Sequence, residues 1–283
     1  MRKESVKVLI VGGDRRFDTA EDVLKREGYS VLRVSDRNDF SEKGNEADVL
    51  LLPLPYTADG ITVFQPDGKE AVPLSEVFRG FRPGMLILTG KADSAIRKEA
   101  EAHGADVADY NDEEDFAVKN AVPTAEGAIS LALDLLPVTL NGSDVLVLGF
   151  GRIGKLLALY LHGFGARVTV AARKPEDRAF ANACGYQAVP FSELAEAVKE
   201  KEAVFNTVPS VVLTKNVLYA VRKDTVLIDL ASSPGGIDRQ AAAENGLKAV
   251  SALGLPGKTA PVSAGRYLAE TVIRLLSDRE DGK

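Results

Sequence analysis

Asp144-Val-Leu-Val-Leu148-Gly149-Phe150-Gly151-Arg152-Ile153-Gly154 is the stretch on which the fold of this chain turns. Its apolar half, ending at Leu148, reads as a buried strand, and the half that follows fits G-x-G-x-x-G. A helical pattern from Arg152 to Phe164 comes next, with Gly165 placed to close it, and Arg167–Ala172 reads as a second strand. In that setting each glycine has a mechanical task. Gly149 permits the tight turn, Gly151 lets backbone approach a pyrophosphate, and Gly154 lets helix and strand pack closely, while the helix N-terminus turns its N–H groups toward the anion. Strand, glycine turn, helix and strand in series predict a dinucleotide site at Gly149, Phe150, Gly151, Arg152, Ile153 and Gly154; a tight turn without a ligand is the alternative.

The end of the second strand bears on which dinucleotide. An NAD site usually carries Asp or Glu there to accept from the ribose 2′-OH. Here the strand ends Val170-Ala-Ala-Arg173-Lys174, with no acid at its tip, so Arg173 and Lys174 are expected at a 2′-phosphate and NADP is favoured, with NAD as the other possibility. Three later loops fall at C-terminal strand ends, where open α/β sheets bind ligands: Asn206–Ser210, Asp229–Gly236 and Gly254–Pro261. They add Asn206, Thr207, Val208, Pro209, Leu230 and Gly254 as candidate cofactor contacts, against ordinary turn chemistry as the alternative. Near the N-terminus, Gly12-Gly13-Asp14-Arg15-Arg16 also follows an apolar strand, Lys7–Val11, but lacks the complete fingerprint; it reads as an anion site on the substrate side.

Outward from these turns, strands alternate with helices along the whole chain. Strands are expected at Ser30–Val34, Asp48–Leu52, Met85–Thr89, Ala105–Ala108, Ala203–Thr207, Thr225–Leu230 and Lys248–Ser251; helices at Thr19–Glu27, Ser94–His103 and Val262–Ser277. The stretch 53–84 reads as loop with short structure. Thr124 is placed to N-cap a helix that runs to Leu136 and stops at Pro137, and the acidic run Asp112–Asp115 before it reads as a solvated turn. The fold class is therefore α/β: two Rossmann-like, doubly wound parallel-sheet domains facing each other across a cleft. The expected division is 1–122 for a substrate-side domain, 123–137 for a connecting helix, 138–260 for the NAD(P)-binding domain and 261–283 for a helix packing across the boundary.

Composition narrows the function. A length of 283 residues with 45% apolar side chains suits two domains with cores of their own. The single Cys184 excludes an internal disulfide, and one cysteine with two histidines excludes a structural zinc site; no metal is expected. No apolar run approaches the length of a membrane span, so a soluble cytoplasmic protein is expected. Residues 1–137 carry 17 Lys+Arg against 26 Asp+Glu, a balance of −9, whereas the rest of the chain stands at +3. That acidic balance without a basic run argues against nucleic acid. His103 and His162 lie in helices away from the late loops, which disfavours the acid/base chemistry of a 2-hydroxyacid dehydrogenase. Cys184 has no basic neighbour in sequence and is not expected to act as a nucleophile.

Taken in order, Val11-Gly-Gly-Asp14, Leu52-Pro-Leu-Pro55, Val122-Pro-Thr-Ala-Glu-Gly127, Leu148–Gly154, Asn206-Thr-Val-Pro-Ser210, Asp229-Leu-Ala-Ser-Ser-Pro-Gly-Gly236 and Gly254-Leu-Pro-Gly257 resemble the dipicolinate synthase A-subunit family. The resemblance spans nearly the whole chain and is weakest over residues 59–83. It implies NAD(P)-dependent oxidation of dihydrodipicolinate, or of its hydrated precursor, to pyridine-2,6-dicarboxylate in the mother cell of a sporulating bacterium. It also implies a flavoprotein-like B subunit of dipicolinate synthase, and self-association of the chain is expected. Such a substrate needs donors for two carboxylates, and Arg15, Arg16, Thr124, Ser232 and Ser233 are the candidates. The proton acceptor is open, with Asp229 and Lys258 as candidates. A non-catalytic NADP-binding sensor or a scaffold is the alternative.

Overall fold

The computed structural model describes residues 6–34, 36–66, 71–280 and 282, so the readings of residues 1–5 and of part of the 53–84 loop fall outside it. The chain divides into two compact units, one of residues 1–120 with 260–283 and the other of residues 121–259.

The first unit contains β1 (Lys7–Val11), α1 (Arg16–Arg26), β2 (Ser30–Val34), α2 (Arg37–Lys43), β3 (Val49–Leu51), α3 (Leu74–Arg79), β4 (Leu86–Thr89), α4 (Ser94–His103) and β5 (Asp106–Asp109), followed by the start of α5 (Glu114–Leu135). Its five strands pair in parallel in the order β2-β1-β3-β4-β5. Continuous apolar runs make these strands because both faces are covered. Val8 and Ile10 enter a core with Phe17, Ala20 and Leu24 of α1; Leu9 and Val11 enter another with Phe40, Val77 and Ile96. Burying a side chain of this size contributes about 1.5–3 kcal/mol. Helix ends follow local chemistry: Asp93 caps α4 by accepting from the backbone N–H of Ala95 and Ile96, and Gly104 closes it at φ 67°.

In the second unit come β6 (Asp144–Leu148), α6 (Arg152–Gly163), β7 (Arg167–Ala171), α7 (Pro175–Ala183), β8 (Gln187–Val189), α8 (Leu194–Ala197), β9 (Ala203–Asn206), α9 (Lys215–Leu218), β10 (Val226–Asp229), α10 (Arg239–Glu244), β11 (Lys248–Ser251) and α11 (Leu255–Thr259). Six parallel strands run β11-β10-β9-β6-β7-β8, so the order reverses between β6 and β9. Ligands bind at this switch point in doubly wound sheets, outside the carboxyl ends of the strands. The final helix, α12 (Pro261–Glu280), belongs to the first unit, where Leu268, Ala269, Val272 and Leu276 join the core around Phe17. Its close contact with α1 needs Gly265, where a Cβ would stand 2.2 Å from the carbonyl oxygen of Arg16.

Three expectations are corrected here. The helix expected to begin at Thr124 begins at Glu114 and runs through Pro123, so Thr124 lies inside α5, 8% exposed, and is not its cap. Proline fixes a φ that suits a helix and removes one hydrogen bond, and burial of Phe116, Ala121, Ala125 and Ala128 on either side holds the helix together. The acidic run is no free turn either: Arg274 Nη2 of α12 donates to Glu113 at 2.6 Å and to Asp115 at 3.0 Å. Finally, Leu255–Thr259 is a helix rather than loop, seated on α5 at Gly127, where a Cβ would stand 2.9 Å from Thr259 Oγ1. No helix among the described residues is long and apolar enough to cross a membrane.

Candidate functional site

At the switch point the three glycines do three different things. Gly149 turns at φ 90°, and a Cβ there would stand 2.5 Å from Thr207 Oγ1 and 3.0 Å from Val208 Cγ2. Gly154 is buried, with the position of its missing Cβ only 2.1 Å from the carbonyl oxygen of Gly149, so helix and turn touch backbone to backbone. Gly151 faces open space: nothing lies within 4 Å of where a Cβ would be, and it stands at the N-cap of α6 with no side chain capping the first turn. A pyrophosphate fits such a place, because the N–H groups of a helix's first turn and the helix dipole both favour an anion. Arg152 is exposed beside this turn and Ile153 half-buried in it. Phe150 offers only backbone, since its ring is 5% exposed and packs on Phe180 and Tyr186. Lys155 Nζ lies over the Phe150 and Phe180 rings, 5.7 and 5.6 Å from their centroids.

Beyond β7 the chain exposes Arg173 and Lys174, and Lys174 approaches Glu176 at 4.0 Å. Among the described residues no hydrogen bond or ion pair engages the Arg173 guanidinium. Its backbone is held by a residue that sequence reading missed. Arg178 Nη1 donates to the carbonyls of Ala172 at 2.9 Å and Arg173 at 2.8 Å, fixing the path of the loop. The signal in the sequence is faint: an arginine five places after Arg173, on the first turn of a helix opened by Pro175.

At β9 and β10 the structure reassigns two candidates. Asn206 is fully buried and its side chain is engaged within the protein. Nδ2 donates to Asp229 Oδ1 at 2.8 Å and to the Val208 carbonyl at 3.0 Å, and Oδ1 accepts from the Val208 N–H at 3.1 Å. It therefore makes no side-chain contact with a ligand. Asp229, 1% exposed, accepts from Asn206 and from the N–H groups of Ala231 and Gly236, with Arg239 Nη2 at 3.6 Å. Buried and saturated with donors, it is no proton acceptor. Thr207 binds inward too, its N–H and Oγ1 both donating to the Leu148 carbonyl at 2.9 and 2.8 Å. Leu230 is core, at 7% exposed. Val208, Pro209, Ser232, Ser233 and Gly254 are half-buried or exposed along the same sheet edge. Lys258 is exposed, and its ammonium donates to the Leu253 carbonyl at 2.9 Å.

In the first unit, Arg16 is 6% exposed, with Nε bonded to Asp14 at 2.8 Å and Nη2 to the Leu54 carbonyl at 3.2 Å. These contacts build the turn, so Arg16 is no free carboxylate donor; Arg15, at the N-cap of α1, is the exposed cation there. Tyr110 closes the same sheet edge by donating to the Leu52 carbonyl at 2.9 Å, and burial pushes its phenol far up. His103 Nδ1 sits 2.8 Å from the Glu99 carbonyl, and His162 stacks edge-on against Tyr186. At the opposite, N-terminal end of the second sheet's strands, burial pushes the Lys201 ammonium down while its Nζ donates to Thr169 Oγ1 at 2.9 Å. Nearby, a hydrogen bond from Arg167 holds the Asp144 carboxyl below its usual range.

Known proteins extend this picture. Residues 7–111 match the family model of the N-terminal domain of the dipicolinate synthase A subunit, and residues 130–252 match that of shikimate / quinate 5-dehydrogenase. The second unit is thus dehydrogenase-like, and its site fits a nicotinamide dinucleotide. Over 78 residues, 27% of this chain and 29% of the relative, the chain is 36% identical to shikimate dehydrogenase (NADP(+)) of Methanothrix thermoacetophila. The dipicolinate synthase A subunit of Bacillus subtilis is 32% identical over 98% of this chain and 99% of its own length. The crystal structure of the dipicolinate synthase A subunit from Bacillus halodurans superposes with a TM-score of 0.88, at 29% identity over 96% of this chain and 98% of that one. On the sequence, the fold and the glycine turn together, the chain belongs to the dipicolinate synthase A-subunit family.

Proposed function

We propose that this chain is the dinucleotide-binding component of an oxidoreductase that forms pyridine-2,6-dicarboxylate, and that its cofactor is NADP. The observation that carries the reading is the uncommitted Arg173 guanidinium beyond β7, where an NAD site would present an acid, in the same unit as a glycine turn whose Gly151 opens to solvent. When bound, the dinucleotide supplies the hydride acceptor, and dihydrodipicolinate gives up a hydride and a proton as its ring becomes aromatic. Arg173 pairs with the 2′-phosphate, Arg178 holds the loop that carries it, and the first turn of α6 holds the pyrophosphate. Ser232 and Ser233, beyond the end of β10, donate to a substrate carboxylate. Lys258 Nζ is engaged with the Leu253 carbonyl and Asp229 is saturated with donors, so the ring proton is left for a base that the B subunit supplies.

The relatives are named as one of the subunits of dipicolinate synthase, which supports a second polypeptide, the B subunit, as partner and a role in the mother cell of a sporulating bacterium. Turnover on this reading needs the B subunit, because neither candidate base, Asp229 nor Lys258, is placed to take the proton. Calorimetric titration tests the cofactor: NADP should bind at least about fivefold more tightly than NAD, since an Arg–phosphate pair contributes about 1–3 kcal/mol, and Arg173→Ala should abolish the difference. Near-ultraviolet absorbance of the reduced nicotinamide then reports oxidation of dihydrodipicolinate as the B subunit is titrated. Equal affinities for the two dinucleotides overturn the NADP assignment. Absence of any absorbance change with both polypeptides present leaves a dinucleotide sensor or scaffold as the function.

A further inference from the structure

The side chains of Asn206 and Asp229 stand at the ends of adjacent strands, in register with each other, and both are buried. Their polar groups are turned toward two loops and toward each other. The amide of Asn206 closes on both backbone groups of Val208, and Val208 and Thr207 are the residues that crowd Gly149. The carboxylate of Asp229 gathers the N–H groups of Ala231 and Gly236, the two ends of the segment that presents Ser232 and Ser233. The 2.8 Å bond between the two side chains joins these halves. The backbone has been fitted to this pair at close range: a Cβ at Gly236 would stand 2.1 Å from Asn206 Nδ2, and one at Gly235 would stand 2.6 Å from Asp229 Oδ2. Two consecutive glycines after Pro234 thus have a physical reason, since only bare backbone passes the pair.

We propose that Asn206 and Asp229 are positioning residues, a buried amide–carboxylate lock that holds the Ser232–Ser233 loop in the geometry that receives the dicarboxylate. The inference rests on the reading of that loop as a carboxylate site, and it assigns the lock its task. A carboxylate and an amide suit one another here because one only accepts and the other both donates and accepts. Replacing the amide by a second acid sets two acceptors against each other, and one of them must then take a proton to restore the bond. Arg239, 3.6 Å from Asp229, is the ionic partner of that carboxylate.

The test uses the full chain with NADP and pyridine-2,6-dicarboxylate as probes, together with amide hydrogen exchange. In the wild type the Ala231 and Gly236 amides should exchange slowly. Asn206→Ala should speed both at least tenfold and weaken dicarboxylate binding at least tenfold, with cooperative thermal unfolding retained. Asn206→Asp should weaken dicarboxylate binding at pH 8 and recover most of it as the pH falls to about 5.5, since a raised pKa is the signature of two facing carboxylates; Asn206→Ala should show no such recovery. Unchanged exchange at Ala231 and Gly236, or unchanged dicarboxylate affinity in both variants, overturns the lock. Should the wild type bind NADP but no dicarboxylate, the functional reading fails, and the amide exchange by itself decides whether the lock holds the loop.

Discussion

Both units pass from first strand to first helix through a glycine turn, residues 12–15 in the first and 149–151 in the second, and fill it differently. In the first unit, a Cβ at Gly12 would meet Val63 Cγ1 at 2.7 Å and the Phe64 carbonyl oxygen at 2.8 Å, and one at Gly13 would strike the Phe17 ring at 2.4 Å. The Gly13 N–H donates to Phe64 O at 2.9 Å, so the chain itself takes the place a ligand would take. In the second unit Gly149 is crowded as well, by Thr207 and Val208, but the space at Gly151, the N-cap of α6, is open. Glycine in such a turn therefore says that something comes close. Whether that thing is protein or ligand is written in what stands opposite the missing side chain.

Glycine substitutions break this comparison most directly. Gly154→Ala should cost the most, on the order of 3 kcal/mol, because its methyl would meet backbone that cannot step aside. Gly13→Ala should come close behind, with strain at φ 89° added to the clash with Phe17. Urea unfolding measures both, and a loss below about 0.5 kcal/mol in either would mean that the turn yields easily. Gly151→Ala should leave stability within about 0.5 kcal/mol of wild type. It should nonetheless weaken NADP at least tenfold by calorimetry, whereas Gly13→Ala, once folded, should bind NADP as the wild type does. A reversal of that pattern would put the dinucleotide in the first unit.

A smaller effect at the N-terminal end of the second sheet's strands sharpens the contrast between binding and stability. Lys201 titrates below its ordinary 10.5 in the folded chain because it is buried. Between that lowered value and 10.5 the unfolded chain binds more protons, so wild-type stability rises with pH across the window. Lys201→Met lacks this rise. Its stability relative to wild type should be greatest at neutral pH and shrink as the pH approaches 10.5, with no change in NADP affinity. Chemical unfolding at a series of pH values checks it, and parallel curves would mean that Lys201 is as well solvated folded as unfolded.

Strands such as Lys7–Val11 and Asp144–Leu148 are legible in the sequence because cover on both faces writes a continuous apolar run. The edge strand Gln187–Val189 is not, since three half-exposed residues carry no pattern. α2 hides for a similar reason, with Phe40 as its buried residue. At Pro123 a local rule misleads: proline reads as a helix boundary, yet packing on both sides outweighs one lost hydrogen bond. The glycine turn of the second unit is legible because its three roles are local. The pairing of Asn206 with Asp229 depends on the register of neighbouring strands, and the hold of Arg178 on Ala172 and Arg173 depends on a helix folding back over the strand that precedes it. Such contacts arise only in three dimensions, which is why Asn206 and Asp229 read as ligand contact and base when they are scaffold.

The return of α12 to the first unit has a consequence for how this protein is made. Residues 121–259 are contiguous and complete as soon as they leave the ribosome, whereas the unit begun first is finished last. From the synthesis of residue 120 until residues 260–283 have emerged, Phe17, Ala20 and Leu24 lack the helix that covers them, an interval of about 8–33 s at ordinary rates of synthesis. A nascent chain stalled or truncated near residue 259 should carry a finished dinucleotide-binding unit beside an apolar face open to chaperones. Moving α12 to the N-terminus by circular permutation should close that interval.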